Sequence, residues 1–174
     1  GFNQRVGQVS LLDRETEKRA ISVDLDRNLQ RYALMWHVEG DYNGRHNVPR
    51  SPMLDPISGV LLLAGLLLLL TGPPMAARLP LLALLGVGLL PGLLSTDAPH
   101  AVRTVDAIAP ALLIAALAAV RIGGALRGWP RLRAPALVAA AAGLLLINGW
   151  AYFGRVPYDP RIWEAFHYPA ETMI

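Results

Sequence analysis

Four apolar runs, Ile57 to Thr71, Leu79 to Leu94, Ala107 to Val120 and Pro135 to Phe153, follow a polar first third, and none of them holds a charged residue. A helix needs about 20 mainly apolar residues to cross a hydrocarbon core of ~30 Å. The runs fall slightly short of that. The uncharged residues from Gly72 to Ala77 would extend the first, and tilting or snorkelling of flanking arginines would serve the others. Four such runs in succession, one of them nearly all leucine from Gly59 to Leu70, would leave a soluble core with nothing polar to cover it. The pattern therefore predicts an all-α integral membrane protein with four transmembrane helices at residues 53 to 153. A polar head (1 to 52) precedes them and an interfacial tail (154 to 174) follows.

Local signals set the element ends. Asp55 suits the N-cap of the first span, with Pro56 at the first helical position, where its missing N–H costs nothing. Thr71-Gly-Pro-Pro74 ends that span, and Pro91-Gly92 predicts a kink or early exit in the second. In the head, Asp13 to Ala20 reads as a solvated loop or short exposed helix. Leu25, Leu29, Tyr32 and Trp36 then form one stripe of a helix whose N-terminus would fall at Asp24 or Asp26. Gly40 to Pro52 is a run of turn-formers and predicts a loop just outside the membrane. Asn148 to Phe153 supplies an aromatic belt, and Trp163, Phe166 and Tyr168 a second interfacial segment. Small residues permit close helix approach, so the alanine-rich third and fourth spans are expected inside the bundle and the leucine-rich first against lipid.

Charge orients these elements. All 13 carboxylates lie outside the two connections that hold Arg78, Arg121, Arg127, Arg131 and Arg133. By the positive-inside rule those arginines face the cytoplasm of the cell (inner) membrane. The head, the Ser95 to Asp106 loop and the tail are then extracytoplasmic. A net charge of +3 is explained by this topology. The basic residues form no aromatic-interleaved stripe, so no nucleic-acid partner is expected. With no cysteine there is no disulfide framework or thiolate metal site. The opening Gly1-Phe-Asn-Gln-Arg5 reads as the middle of a longer protein.

Candidate chemistry lies in two outer loops. His100, Arg103 and Asp106 would share one face if Pro99 opens a helical turn, with Asp97 close by. An arginine beside an imidazole suits a phosphate. The alternative is that Arg103 pairs with Asp106 or Asp97 and anchors the interface. In the head, Asp41, Arg45 and His46, with Asn43 and Asn47, would bind a sugar or anion, or else hold a rigid connector together. His46 and His100 have no recognised metal-ligand spacing with Asp41 or Asp97, so no metal and no cofactor is expected. No nucleophile elbow, phosphate loop or dinucleotide fingerprint occurs.

These loops also carry a resemblance. Gln8-Val-Ser10, Gly40-Asp-Tyr-Asn-Gly-Arg-His-Asn-Val-Pro49, Pro52-Met-Leu-Asp55 and Ala98-Pro-His-Ala-Val-Arg103 resemble the C-terminal part of bacterial family-39, protein-mannosyltransferase-like membrane glycosyltransferases of the GT-C architecture. The resemblance implies transfer of a sugar from a polyprenyl-phosphate carrier to an extracytoplasmic acceptor. It implies substrate-binding roles for His100, Arg103, Asp97, Asp41, Arg45 and His46. The catalytic acid of that family lies in an N-terminal loop with no counterpart here, so a missing N-terminal transmembrane portion is an expected partner beside the lipid bilayer. The catalytic residue stays unknown, and the isolated chain is expected to be inactive. The alternative is a non-catalytic polytopic membrane scaffold or transport subunit.

Overall fold

A computed structural model describes residues 18–72 and 74–171, and every regular element among them is helical. In chain order these are α1 (Lys18–Met35), α2 (Pro56–Thr71), α3 (Met75–Leu93), a 3-10 segment Ala101–Ala107, α4 (Ile108–Ala125), a 3-10 turn Leu126–Gly128 and α5 (Pro130–Gly149). A π-turn Trp150–Arg155, a 3-10 turn Val156–Tyr158 and α6 (Pro160–Glu171) complete it. Two continuous stretches, Ala101–Gly128 and Pro130–Tyr158, are long and apolar enough to cross a membrane, at 28 and 29 residues. Helix α2 is apolar but shorter: its 16 residues rise only about 24 Å. Gly72 to Ala77 do not lengthen it, contrary to expectation. The chain leaves α2 at Gly72, the amide-less Pro73-Pro74 pair cannot donate to a continuing helix, and Met75–Ala77 instead begin α3.

The cap of α2 forms as predicted: Oδ1 of Asp55 accepts from the amides of Ile57 and Ser58 at 3.0 Å each. At the other end, Arg78 donates to the carbonyls of Leu69 and Leu70 at 2.8 and 2.7 Å. It thereby satisfies acceptors that the last turn of a helix leaves free. Arg121 lies inside α4, before its last turn, while Arg131 and Arg133 sit in the first turn of α5 and not in a loop. Only the Leu126–Gly128 turn and Trp129 separate the two helices.

The packing meets expectation for the third span and departs from it for the first and fourth. Helix α4 is the central one, with Ala111, Ile114 and Ala118, and Ala107 just before it, each no more than 1% exposed. Its main neighbour is α2, not α5. The leucine run of α2 is interrupted by Gly59 and Gly65, so one face carries Gly59, Leu62, Gly65 and Leu69, all buried. A Cβ at Gly65 would collide with the backbone of Ile114, which shows how closely the two helices approach. Helix α5, alanine-rich as it is, has no buried residue and touches α2 through Gly143 near Ile57 and through Asn148 near Asp55. Alanine content matched burial in α4 but not in α5; small residues aligned on one face account for the contact of α2 with α4.

The first helix also differs. It is already formed at Lys18, so Asp24 and Asp26 lie within it, and Asp24 pairs with Arg27 at 2.9 Å instead of capping. Tyr32 and Trp36 are buried as the stripe predicts, but Leu29 is 58% exposed and Asn28 is fully buried in its place. The reason is polar: Asn28 donates to the carbonyls of Leu93 and Ser95 at 2.9 and 2.6 Å, where α3 ends. The Asp13–Glu17 part of the charged stretch, the Gln8-Val-Ser10 likeness and the Tyr168 side chain lie outside the described residues.

Candidate functional site

The head loop is closed by its own backbone. Gly40 N–H donates to the Arg50 carbonyl at 3.3 Å, and Arg50 N–H to the Asp41 carbonyl at 2.8 Å. Gly40 runs so close to the Ser51 carbonyl that a Cβ there would overlap it. Arg50 takes a positive φ of 66° to complete the turn. Its guanidinium lies 5.3 Å from the Tyr42 ring centroid and 3.4 Å from the Glu39 carboxylate. This closure turns Asp41 inward, where it is 3% exposed.

Asp41 joins the two loops singled out in the sequence. Its Oδ2 accepts from the Ala101 amide at 2.8 Å, across 60 residues of chain. The same oxygen is 2.6 Å from Nδ1 of His46, and Oδ1 accepts from the Asn43 amide at 2.9 Å. Burial pushes the carboxyl upward, but the Ala101 and Asn43 amides and the His46 ring together outweigh it and leave Asp41 below the usual carboxylate range. Asp41 is therefore an ionised, fully engaged anchor. The rings of His46 and His100 lie 4.9 Å apart, tilted by 51°.

His100 is placed from below. Its backbone N–H donates to the Tyr32 hydroxyl at 3.0 Å, and its carbonyl faces the hydroxyl of buried Thr104 at 3.4 Å. Burial, chiefly, and the nearby Arg103 guanidinium push the imidazole below its ordinary value. The ring is neutral near pH 7. Burial likewise raises the Tyr32 hydroxyl, which stays protonated. The Ala101–Ala107 segment is 3-10, with Thr104 out of helical conformation. Asp106 is exposed, and the acid nearest Arg103 is Asp97, at 3.9 Å and 72% exposed on its side chain. That contact is too long to saturate a guanidinium. Nδ1 of His100 and one terminal nitrogen of Arg103 are buried with no hydrogen-bond partner among the described residues.

Not every candidate joins this cluster. Asp41, His46, His100 and Arg103 come together, with Asp97 at their exposed edge. Arg45 points elsewhere: its Nε donates to the Ala165 carbonyl of α6 at 2.6 Å, and Gly44 packs on Arg161 of the same helix. It ties the head loop to the tail. Two residues that sequence reasoning did not assign to the site support it, Tyr32 under His100 and Thr104 beside it. Tyr32 was visible in the apolar stripe, whereas nothing in the sequence marked Thr104. A separate cavity of about 630 Å³ lies between the head loop and the end of α5, lined in part by Trp36, His37, Asn47, Asp55, Asn148 and Arg155. None of the clustered residues lines it.

The neutral His100 has a consequence for stability. Its folded-state pKa lies below the ordinary 6.5, so the unfolded chain binds the proton first as pH falls. The contribution is complete above about pH 6.5 and is lost as pH falls from there toward the folded value. Asp41, also depressed, loses its contribution only below its ordinary 3.8. The thermal midpoint of the protein should therefore drop between pH 7 and pH 5, and the drop should shrink in His100→Gln. Parallel profiles for the two proteins would contradict this assignment.

Around the cluster the polar elements gather at one end of the helices. The start of α2, the end of α3, the approach to α4 and the end of α5 meet there, joined by the Asp41–Ala101, Asn28–Leu93 and Asn148–Asp55 contacts. The five acid-free arginines lie toward the opposite ends of the same helices. No known protein family, no curated protein and no solved structure matches the chain.

Proposed function

We propose that this chain is the C-terminal membrane part of an enzyme that moves a sugar from a polyprenyl-phosphate carrier to an acceptor on the outer face of the inner membrane. In this reading α2, α3, α4 and α5 all span, with α2 tilting little in a locally thinned bilayer. The arginines of the short connections face the cytoplasm. The outer cluster receives the carrier phosphate, and further spans N-terminal to this chain supply the catalytic acid, as the resemblance in the two loops implies.

One observation carries the binding role. His100 and Arg103 each hold a buried nitrogen with no hydrogen-bond partner among the described residues, at the end of the helices where the polar loops converge. A buried polar atom left unpaired costs about 1–3 kcal/mol, so a ligand that engages both nitrogens is favoured at this place. A phosphate offers several acceptor oxygens and the negative charge a guanidinium prefers. Asp41 does not compete for Arg103, because its oxygens are taken by two amides and His46. The exposed α5 face and the apolar surface of α2 suit a carrier chain or neighbouring helices.

The test is head-group dependence. Complete protein in lipid nanodiscs should bind polyprenyl monophosphate at least tenfold more tightly than the polyprenol of the same chain length. Equal affinity for the two would remove the phosphate role and favour a scaffold or transport subunit.

A further inference from the structure

We infer that Asp41, His46 and His100 form a binding site for one divalent transition-metal ion of the zinc class. Each residue offers a ligand atom, and the three atoms lie within 4.8 Å of one another. Bonds of about 2.0–2.2 Å to zinc place tetrahedral ligands roughly 3.3–3.6 Å apart. His46 Nδ1 and Asp41 Oδ2, at 2.6 Å, share a proton. The cation takes the place of that proton at Nδ1, the ring carries its N–H on Nε2 instead, and the pair opens to admit the ion.

Three features separate this set from a chance cluster. First, it is held by the fold: the Ala101 amide fixes Asp41 against the very residue that follows His100, and Tyr32 fixes the His100 backbone. Second, it has an unused ligand. His100 Nδ1 is buried with no hydrogen-bond partner among the described residues, and a neutral imidazole nitrogen is a common metal ligand. Third, the donor chemistry is selective. Two imidazoles and one carboxylate with no thiolate suit zinc and its neighbours and do not suit magnesium, which prefers oxygen ligands. Three protein ligands leave a fourth position open. Arg103 stands beside it, and its positive charge favours an anion there over a second cation.

This site shares His100 with the phosphate reading, but its test uses no lipid carrier, so the two can fail separately. The full chain, purified in detergent without a histidine tag and stripped of metal, is titrated with Zn²⁺ against a chromophoric chelator, with Mg²⁺ as the contrast. One Zn²⁺ per chain is expected, with no competition from millimolar Mg²⁺. His46→Ala and His100→Ala should each weaken Zn²⁺ binding at least tenfold. His37→Ala should leave it unchanged, since the His37 ring contacts the Gly59 carbonyl away from the cluster. Helical circular dichroism checks the fold of each variant. If His46→Ala does not fold, His100→Gln, which removes a ring nitrogen that bonds to nothing, carries the comparison. Absence of stoichiometric Zn²⁺ binding by the wild-type chain overturns the inference, as does undiminished affinity in the His100 variant.

Discussion

Asp41→Ala is expected to destabilise the protein by about 3 kcal/mol or more and to separate its two outer loops. The carboxylate accepts three hydrogen bonds, from the amides of Asn43 and Ala101 and from His46, in a position 3% exposed. Truncation strands all three donors, at about 1–3 kcal/mol for each that water does not reach. Asp41→Asn keeps one carbonyl oxygen but turns an NH₂ toward a donor, so it should lie between the wild-type and alanine proteins. Thermal unfolding in detergent, followed by circular dichroism, measures both. A midpoint for Asp41→Ala within a degree of wild type would show that the loops are held by something else. Because the Ala101 amide is adjacent to His100, the same variant should also lose ligand binding at the cluster.

Arg103→Ala is the second large effect, and it acts on binding while leaving the fold in place. The side chain is partly exposed, and its one acidic neighbour lies at 3.9 Å. Removing it breaks little within the protein. A charge-assisted hydrogen bond to phosphate contributes about 1.5–3 kcal/mol, so affinity for polyprenyl monophosphate should fall roughly 10- to 150-fold. Binding of the phosphate-free polyprenol should not change. Arg103→Lys retains the charge but loses the planar fork, and should recover part of the affinity. Unchanged carrier affinity in Arg103→Ala would remove this residue from the site.

Local chemistry was legible in the sequence where a single turn decides it. Asp55 before Pro56 announced a cap, and Thr71-Gly-Pro-Pro74 announced a stop, because both act through neighbouring amides. Packing was not legible at the same level. Counting alanines placed the fourth span inside, yet the close contact is made by Gly65 of the leucine-rich first span against Ile114, since what matters is which face the small residues share. Asn28 escaped notice for a different reason. An asparagine inside an apolar stripe reads as solvent-facing until the free carbonyls of Leu93 and Ser95 are brought against it.

The site was half legible. Asp41, His46, His100 and Arg103 were each marked by their residue type in loops expected near the membrane surface. Their meeting depends on a contact across 60 residues, which no spacing rule encodes. Arg45 looked equivalent to its neighbours in sequence, but the turn at Gly44 and Arg45 directs it onto α6. The polar end of the helices thus divides into the Asp41–His46–His100–Arg103 cluster and a brace for the tail.

The sugar-transfer role proposed for the cluster requires that it face the outside of a membrane, opposite the arginines of the short connections. The chain has no cysteine, so single cysteines report their own side without background. Asp97→Cys, at the exposed edge of the cluster, should react with a membrane-impermeant thiol reagent added to intact cells. Gly128→Cys, in the turn between α4 and α5, should react only after the membrane is opened. Reaction of Gly128→Cys from outside, with Asp97→Cys protected, would contradict the account at its root.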